Sequence, residues 1–223
     1  MSSIINETKK RIECLQDLIK KNKLNYYYIP HEDEHLTEYV SENRERLCWI
    51  SGFTGSAGSC LVGLNKIYLF VDGRYTLQAK KQMSNINCKI FNSFEKSFAD
   101  FLEHDMPKKS IIGFDAKLIT HNKYEAYLNI CALNNIKTRS LKNNLIDIIW
   151  KRNLKTQKSK DIFLLENRYC GLSSALKLKK LRNYVKRQKV DFIFIQDSES
   201  VAWLLNLRGK DLKYTPLTFG YVL

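Results

Sequence analysis

The stretch "CWISGFTGSAGSCLVGLNKIYLFVDGRYTLQAKKQM", residues 48–83, decides the fold of this chain. Glycines recur in it at three-residue intervals, and Gly58 to Leu64 and Lys66 to Val71 then have the pattern of a β-hairpin. The second strand, "IYLFV", is apolar on both faces, which is typical of an inner strand covered by helices on both sides. An Asp-Gly turn leads into a helix predicted over Tyr75 to Met83. The stretch therefore predicts a sheet layered with helices.

Strands and helices alternate on both sides of this stretch. On its amino-terminal side we predict a helix over Ile4 to Lys21, a strand over Asn25 to Ile29 and a short helix over His35 to Ser41. The elements predicted on its carboxyl-terminal side are a strand over Lys89 to Phe94, a helix over Phe98 to His104, a strand over Ser110 to Asp115 and a helix over Asn122 to Leu133. This alternation favours an α/β protein with a layered mixed β-sheet.

A change of composition predicts a domain boundary. Residues 137–160 are basic and polar, and only Leu145 to Trp150 has helical periodicity, so we place the boundary just after Trp150. Residues 1–150 then form domain I, and residues 151–223 form a linker and domain II. The order helix, strand, helix and glycine turn from Ile4 to Gly52 recurs from Leu172 to Gly209, which predicts a second unit of similar type. That unit looks incomplete, since only the apolar segment "FGYVL" follows.

Composition limits the class of protein. Apolar residues make up 44% of the chain, which fits a globular protein, and no apolar run is long enough to cross a membrane. Acidic residues among the first lysines (Glu7, Glu13 and Asp17) argue against a targeting peptide, so the cytoplasm is the expected compartment. The six cysteines include no C-x-x-C pair, which indicates reduced, mostly buried thiols.

The net charge of +14 raises the possibility of a nucleic-acid partner. The richest basic cluster, "KLKKLRNYVKRQK" at Lys177 to Lys189, carries apolar residues at helical spacing. It is therefore interpreted as the solvated face of a packed amphipathic helix, and nucleic acid is not the favoured partner.

The sequence "HEDEH" contains the H-E-x-x-H pattern of many zinc proteases, formed by His31, Glu32 and His35. The pattern binds zinc when it lies on a helix, because histidines four apart then share one face. Here an aromatic stretch and Pro30 precede it, which indicates the end of a strand. We therefore expect an acidic helix cap rather than a metal site.

Six segments, in order and spacing, resemble the N-terminal portion of Xaa-Pro aminopeptidases of the long, three-domain type. They are "DEHLTEYV", "RLCWISGFTGSAG", "VDGRYTLQAKKQM", "GFDAKLI", "NLIDIIW" and "VAWLLNLRGKDLKYTP". The resemblance implies two creatinase-like N-terminal α/β domains, which precede a catalytic domain of pita-bread fold in that family. It also implies that the catalytic domain holds two divalent metal ions, usually manganese, and that its ligand motifs lie outside this chain.

The resemblance also implies what this chain does. It is expected to be the non-catalytic part of an enzyme that removes the N-terminal residue preceding proline, and to be inactive by itself. Its expected partner is the C-terminal catalytic domain, on the same or a separate polypeptide, and a homodimer is allowed. The peptide substrate binds only to the complete enzyme. The alternative is a stand-alone binding module that uses its basic surface.

No catalytic or metal-binding residue is predicted in this chain. The residues that carry the resemblance are expected to have structural or interdomain roles. They are Gly52, Phe53, Gly55, Ser56, Gly58, Asp72, Gly73, Arg74, Tyr75, Asn206, Arg208, Gly209 and Asp211. The glycines suit positive φ angles and close backbone approach, and Asp72 and Arg74 suit a charged turn.

Overall fold

A computed structural model describes residues 2–152 and 161–223. Their contacts divide the chain into two compact units. The described residues of unit 1 are 2–34 and 43–152, and those of unit 2 are 35–42 and 161–223. The sequence places the boundary just after Trp150, whereas this division ends unit 1 at Arg152 and assigns residues 35–42 to unit 2.

Unit 1 contains a six-stranded mixed sheet with the strand order β4-β3-β2-β1-β5-β6. The strands are β1 (Tyr26–Pro30), β2 (Gly58–Gly63), β3 (Ile67–Val71), β4 (Cys88–Asn92), β5 (Ile111–Phe114) and β6 (Lys137–Ser140). β2 pairs antiparallel with β1 and β3, and the pairs β3–β4, β1–β5 and β5–β6 are parallel. The predicted α/β class with a layered mixed sheet is confirmed.

Helices cover both faces of this sheet. They are α1 (Ser2–Lys21), α2 (Arg46–Ser51), α3 (Thr76–Gln82), α4 (Phe98–His104), α5 (His121–Leu133) and α6 (Leu145–Ile149). Alternate residues of β3 point to opposite faces, so Leu69 belongs to the core cluster that includes Leu15 of α1, while Phe70 packs against Phe101 of α4. The apolar run "IYLFV" is therefore an inner strand buried on both sides, as predicted.

Two sequence predictions for unit 1 need correction. Lys137–Ser140 forms β6, an edge strand that the sequence interpretation left irregular. It was missed because most of its side chains are exposed, so the segment has no apolar alternation. The helix predicted over Tyr75 to Met83 begins one residue late, at Thr76, because Gly73–Tyr75 forms a 3-10 turn first.

Unit 2 contains α7 (Asn167–Cys170), α8 (Ser174–Arg187) and α9 (Ser198–Leu205). Two short strands, β7 (Phe163–Leu164) and β8 (Leu207–Arg208), pair antiparallel. The strand predicted between α8 and α9 is represented by a single β-bridge from Ile195 to Val222. The described residues of unit 2 thus form three helices with little sheet.

The helix predicted over His35 to Ser41 is not formed. Leu36 has a left-handed φ of 56°, which interrupts any helix there, and the ring of His35 stacks on Phe219 at 4.1 Å. This stacking fixes the segment as an irregular strap within unit 2.

Two further sequence-based expectations concern membranes and thiols. Among the described residues, no helix is long and apolar enough to cross a membrane. All six cysteines are free thiols, but only Cys60 and Cys131 are buried and Cys14 is exposed. The prediction that most of these thiols are buried is therefore wrong.

Candidate functional site

The glycine-rich loop between α2 and β2 takes its shape from its first glycine. Gly52 has a φ of 76°, a left-handed conformation that favours glycine, and its N–H donates to the Cys48 carbonyl at 2.7 Å. The Ser51 hydroxyl accepts a hydrogen bond from the Phe53 N–H at 3.0 Å. The loop therefore leaves α2 in one fixed direction.

Gly55 and Gly58 are required by space. A Cβ atom at Gly55 would lie 2.2 Å from the ring of Phe53, a side chain that is only 1% exposed. A Cβ atom at Gly58 would lie 2.8 Å from the carbonyl oxygen of Phe70 on β3. Both distances are far below van der Waals contact, so the loop packs tightly over the sheet end.

Polar side chains tie this loop to α3 and the turn before it. The Thr54 hydroxyl accepts hydrogen bonds from the amides of Gln78 and Gln82, each at 2.8 Å. The hydroxyls of Ser56 and Tyr75 lie 2.8 Å apart. Sequence reasoning missed the two glutamines, because their i,i+4 spacing indicates only that they share one face of α3 and not what that face contacts.

Asp72 and Arg74 form the charged turn that the sequence suggested. Asp72 Oδ1 accepts hydrogen bonds from the backbone N–H and from Nε of Arg74, both at 2.9 Å. These hydrogen bonds lower the pKa of the Asp72 carboxyl below its ordinary value. The Arg74 side chain remains 74% exposed, so the turn presents a guanidinium at the surface of unit 1. Gly73 opens the turn.

Asn206 joins three parts of unit 2. It ends α9 in a left-handed conformation with φ of 55°, and it is only 4% exposed. Its amide donates to the Leu172 carbonyl at 3.0 Å, and its oxygen accepts from Nζ of Lys177 at 2.6 Å. Lys177 also donates to the Trp203 carbonyl at 2.7 Å. Lys177 is therefore buried, whereas the sequence interpretation placed it on a solvated helix face.

The segment after Asn206 is a stapled loop. A Cβ atom at Gly209 would lie 2.7 Å from Thr218, so only glycine fits there. Asp211 Oδ2 accepts hydrogen bonds from the Thr218 hydroxyl at 2.7 Å and from the Phe219 N–H at 3.1 Å. Arg208 donates to the carbonyl of Ala202 at 3.2 Å. The geometry thus gives these residues loop-fixing contacts within unit 2.

The H-E-x-x-H pattern does not lie on a helix. His31 follows β1 in unit 1, and His35 belongs to the strap of unit 2. In the part of the chain that the structure describes, no three His, Cys, Asp or Glu side chains form a group that could hold a metal ion.

A cluster of charges around the buried Arg46 in unit 1 escaped the sequence interpretation. Arg46 is 2% exposed and binds the Asp147 carboxylate with two nitrogens, at 2.7 and 2.9 Å. It also donates to Glu34 at 2.5 Å. These partners lie 101 and 12 residues away in sequence, so local patterns gave no signal for the pairing.

Unit 1 is therefore an α/β domain in which the loop at Gly52 to Gly58 and the Asp72–Arg74 turn lie at the end of a six-stranded mixed sheet. The hydroxyl of Ser56 is paired with a phenol and not with a base, and Asp72 is paired with a neighbouring arginine. The chain belongs to the creatinase/prolidase N-terminal domain family. Residues 11–146 match one model of that domain, and residues 153–223 match a second model of it.

Curated relatives extend this assignment. A probable Xaa-Pro aminopeptidase P of Laccaria bicolor is 36% identical over 217 residues, which cover 96% of this chain and 34% of the relative. Xaa-Pro aminopeptidase 1 of Dictyostelium discoideum is 33% identical over 224 residues, which cover 35% of the relative. The chain thus spans about a third of the length of these relatives.

A crystal structure of X-prolyl aminopeptidase from Caenorhabditis elegans has the same fold over 96% of this chain, with a TM-score of 0.88 and 26% identity. The match covers 37% of that protein, which is described as a cytosolic enzyme with a di-nuclear active site. The resemblance of this chain to the N-terminal portion of Xaa-Pro aminopeptidases is confirmed.

Proposed function

We propose that this chain is a non-catalytic portion of a metal-dependent Xaa-Pro aminopeptidase, which removes the N-terminal residue preceding proline. The observation that carries the proposal is the match of 96% of the chain to a third of such relatives. In this proposal the C-terminal catalytic domain, on the same or a separate polypeptide, is the partner. The chain by itself does not cleave peptides.

The proposal assigns the metal chemistry to the catalytic domain. That domain holds two divalent ions, usually manganese, which supply an activated water and stabilise the negative charge of the transition state. The di-nuclear site of the Caenorhabditis elegans enzyme supports this assignment. The cytosolic description of the same enzyme supports the cytoplasm as the compartment.

The role proposed for the present residues is to form a rigid wall of the substrate cleft. The loop at Gly52 to Gly58 is locked by close packing, and the Asp72–Arg74 turn holds an exposed guanidinium. Rigid loops of this kind suit a wall that restricts access to the N-terminal ends of peptides. The stapled loop at Arg208 to Asp211 would help to orient unit 2 at the junction with the catalytic domain.

A peptidase assay tests the proposal. The purified chain should not release the N-terminal residue from an Xaa-Pro peptide, with or without manganese. Adding the part of the Laccaria bicolor relative that lies outside the match should produce release when manganese is present. Manganese-dependent release by the chain alone, with contaminating peptidases excluded, would contradict the proposal.

A stand-alone binding module is the second candidate. The exposed cations of α8 favour this candidate. Among the described residues, none of these cations forms an ion pair with a carboxylate. Titration with nucleic acid at several salt concentrations distinguishes the two, because phosphate binding weakens steeply with salt. Salt-dependent binding without restored peptidase activity would favour the module.

A further inference from the structure

A polar cavity opens at the end of the unit 1 sheet where β1 and β5 begin and β2 ends. Three segments meet there, residues 25–26, 63–66 and 107–110, because β1 pairs with both β2 and β5. They line a volume of about 330 Å³, which we call the lysine pocket. The pocket lies at the end of β2 opposite Gly58, where the glycine-rich loop ends.

Hydrogen bonds and close packing fix the walls of the lysine pocket. Asn25 Oδ1 accepts a hydrogen bond from the first N–H of β5 at 2.8 Å, and the Ser110 hydroxyl donates to the Pro107 carbonyl at 2.5 Å. A Cβ atom at Gly63 would lie 2.6 Å from the ring of Tyr26, so the turn after β2 packs directly on that ring. The walls are therefore formed before a ligand binds, which reduces the entropy that binding costs.

The pocket carries positive charge without a balancing carboxylate. Lys66, Lys108 and Lys109 line it, and all three side chains are exposed. No Asp or Glu is among the described residues that line it. Within the part of the chain that the structure describes, none of the three lysines has a carboxylate within ion-pair distance. Their ammonium groups are thus available to a ligand.

Backbone donors add to this charge. Among the described residues, the N–H groups of Leu64, Asn65 and Lys108 have no backbone partner. All three belong to the segments that line the pocket. Backbone N–H groups in turns and lysine side chains are the donors that commonly bind phosphate oxygens in proteins.

These donors restrict the class of ligand. Three ammonium groups balance an anion with several charges, whereas a single carboxylate would leave two of them without a counter-charge. A cation would be repelled by the same groups. Small-ligand sites have volumes of about 300–1,000 Å³, and this pocket is at the lower end of that range. A short chain of phosphate groups fits both the charge and the volume.

We propose that the lysine pocket binds a small ligand that carries two or more phosphate groups. The proposal goes beyond the proposed function and does not depend on it, because the pocket lies at the end of the sheet away from the glycine-rich loop. It is tested on the 223-residue chain without a catalytic domain.

The first experiment measures binding of inorganic triphosphate to the full chain by calorimetry, at about 0.05 and 0.5 M salt. We expect a complex with one triphosphate per chain that weakens at the higher salt. In NMR spectra recorded during the titration, the amides of residues 64–66 and 108–109 should shift as the complex forms. The absence of binding at the lower salt would overturn the proposal, as would unchanged shifts of these amides.

Variants test the role of the lysines. Lys108→Gln with Lys109→Gln should weaken triphosphate binding at least about tenfold, because hydrogen bonds to charged groups are the stronger ones. Lys66→Gln, on a separate segment, should also weaken binding, so the test does not depend on the folding of one variant. Lys9→Gln with Lys10→Gln on α1 is the matched control, since it removes the same charge from two adjacent exposed lysines. An equal loss in the control would assign binding to overall charge and overturn the proposal.

A nucleic acid carries the same phosphate groups, and competition distinguishes it from a small ligand. The competitor is a single-stranded DNA of about 12 nucleotides, within the usual range of site sizes. Triphosphate that remains bound when this DNA is added in equal concentration supports the proposal. DNA that displaces triphosphate, and that loses affinity in the Lys108 and Lys109 variant, would overturn the choice of a small ligand.

Discussion

At the scale of single residues, the loop at the end of the sheet can pack closely because glycine has no Cβ atom. Gly55 faces the ring of Phe53, which is held in the core and cannot move aside. Gly52 depends on its backbone angle instead, because only its φ is left-handed within this loop. Glycine is therefore required at these two positions, three residues apart, for different physical reasons.

Gly55→Ala should lower the free energy of unfolding by about 3 kcal/mol, because overpacking a rigid core costs about 1–3 kcal/mol. Urea unfolding measures the change. Adding Phe53→Leu to Gly55→Ala should recover part of the loss, since the smaller side chain makes room. Gly220→Ala is the control, because a Cβ there would approach Val201 only to 4.0 Å. An equally stable Gly55→Ala variant would contradict the steric account.

At the scale of elements, buried charges fasten segments that sequence order separates. Arg46, the first residue of α2, contacts the segment after β1 through Glu34 and contacts α6 through Asp147. Burial opposes ionisation of Glu34, but the hydrogen bond and charge of Arg46 outweigh it and lower the pKa of Glu34 to about 2. Removing one partner of such a group leaves the others charged and desolvated.

Arg46→Met should lower the free energy of unfolding at pH 7 by about 3 kcal/mol. Lys123→Met, which breaks the more exposed pair with Glu32, should cost less than about 1 kcal/mol. The pKa of Glu34 is lower in the folded chain than its ordinary value of 4.5. The contribution of ionised Glu34 to the free energy of unfolding is therefore complete above about pH 4.5 and is lost as the pH falls toward 2.

The pH dependence of the free energy of unfolding tests the cause of the stability loss in Arg46→Met. The difference between the natural chain and the Arg46→Met variant should stay constant from pH 7 to about 4.5 and then narrow toward pH 2. Urea unfolding at each pH measures it. A difference that does not change with pH would assign the loss to packing and not to the ion pair.

At the scale of the whole molecule, the two units have unequal cores. Unit 1 buries a cluster on each face of its sheet. The cluster in the described part of unit 2 consists of Ala202, Leu212 and Leu217, with Phe219 packed against it. Because apolar burial supplies most of the stability, the unit with the smaller core has the smaller free energy of unfolding.

Unit 2 should therefore unfold at lower urea concentrations than unit 1. Hydrogen exchange measured in increasing urea should show the amides of α8 and α9 opening before those of β1, β2 and β3. Fluorescence gives an independent reading, since a Trp203→Phe variant reports only Trp49 and Trp150 of unit 1. A single concerted transition for both sets of amides would contradict the prediction.

Strong local patterns predicted most elements correctly. The helix over Phe98–His104 and the hairpin of β2 and β3 needed only periodicity and turn residues. The strand missed at Lys137–Ser140 and the helix wrongly predicted at His35 to Ser41 had their structures set by distant partners. The glycine loop could be predicted as a tight turn, but its contacts with Gln78 and Gln82 could not.

The sequence alone determined the alternation of helices and strands, the α/β class and the resemblance to Xaa-Pro aminopeptidases, because each depends on patterns over nearby residues. Only the tertiary structure decided that Arg46 is buried between two carboxylates, that Lys177 caps α9 and that Phe192 and Phe194 are left exposed. These features depend on which segments meet after folding. The local sequence pattern around a charged or aromatic side chain is the same whether its partner is water, a buried carboxylate or a second polypeptide.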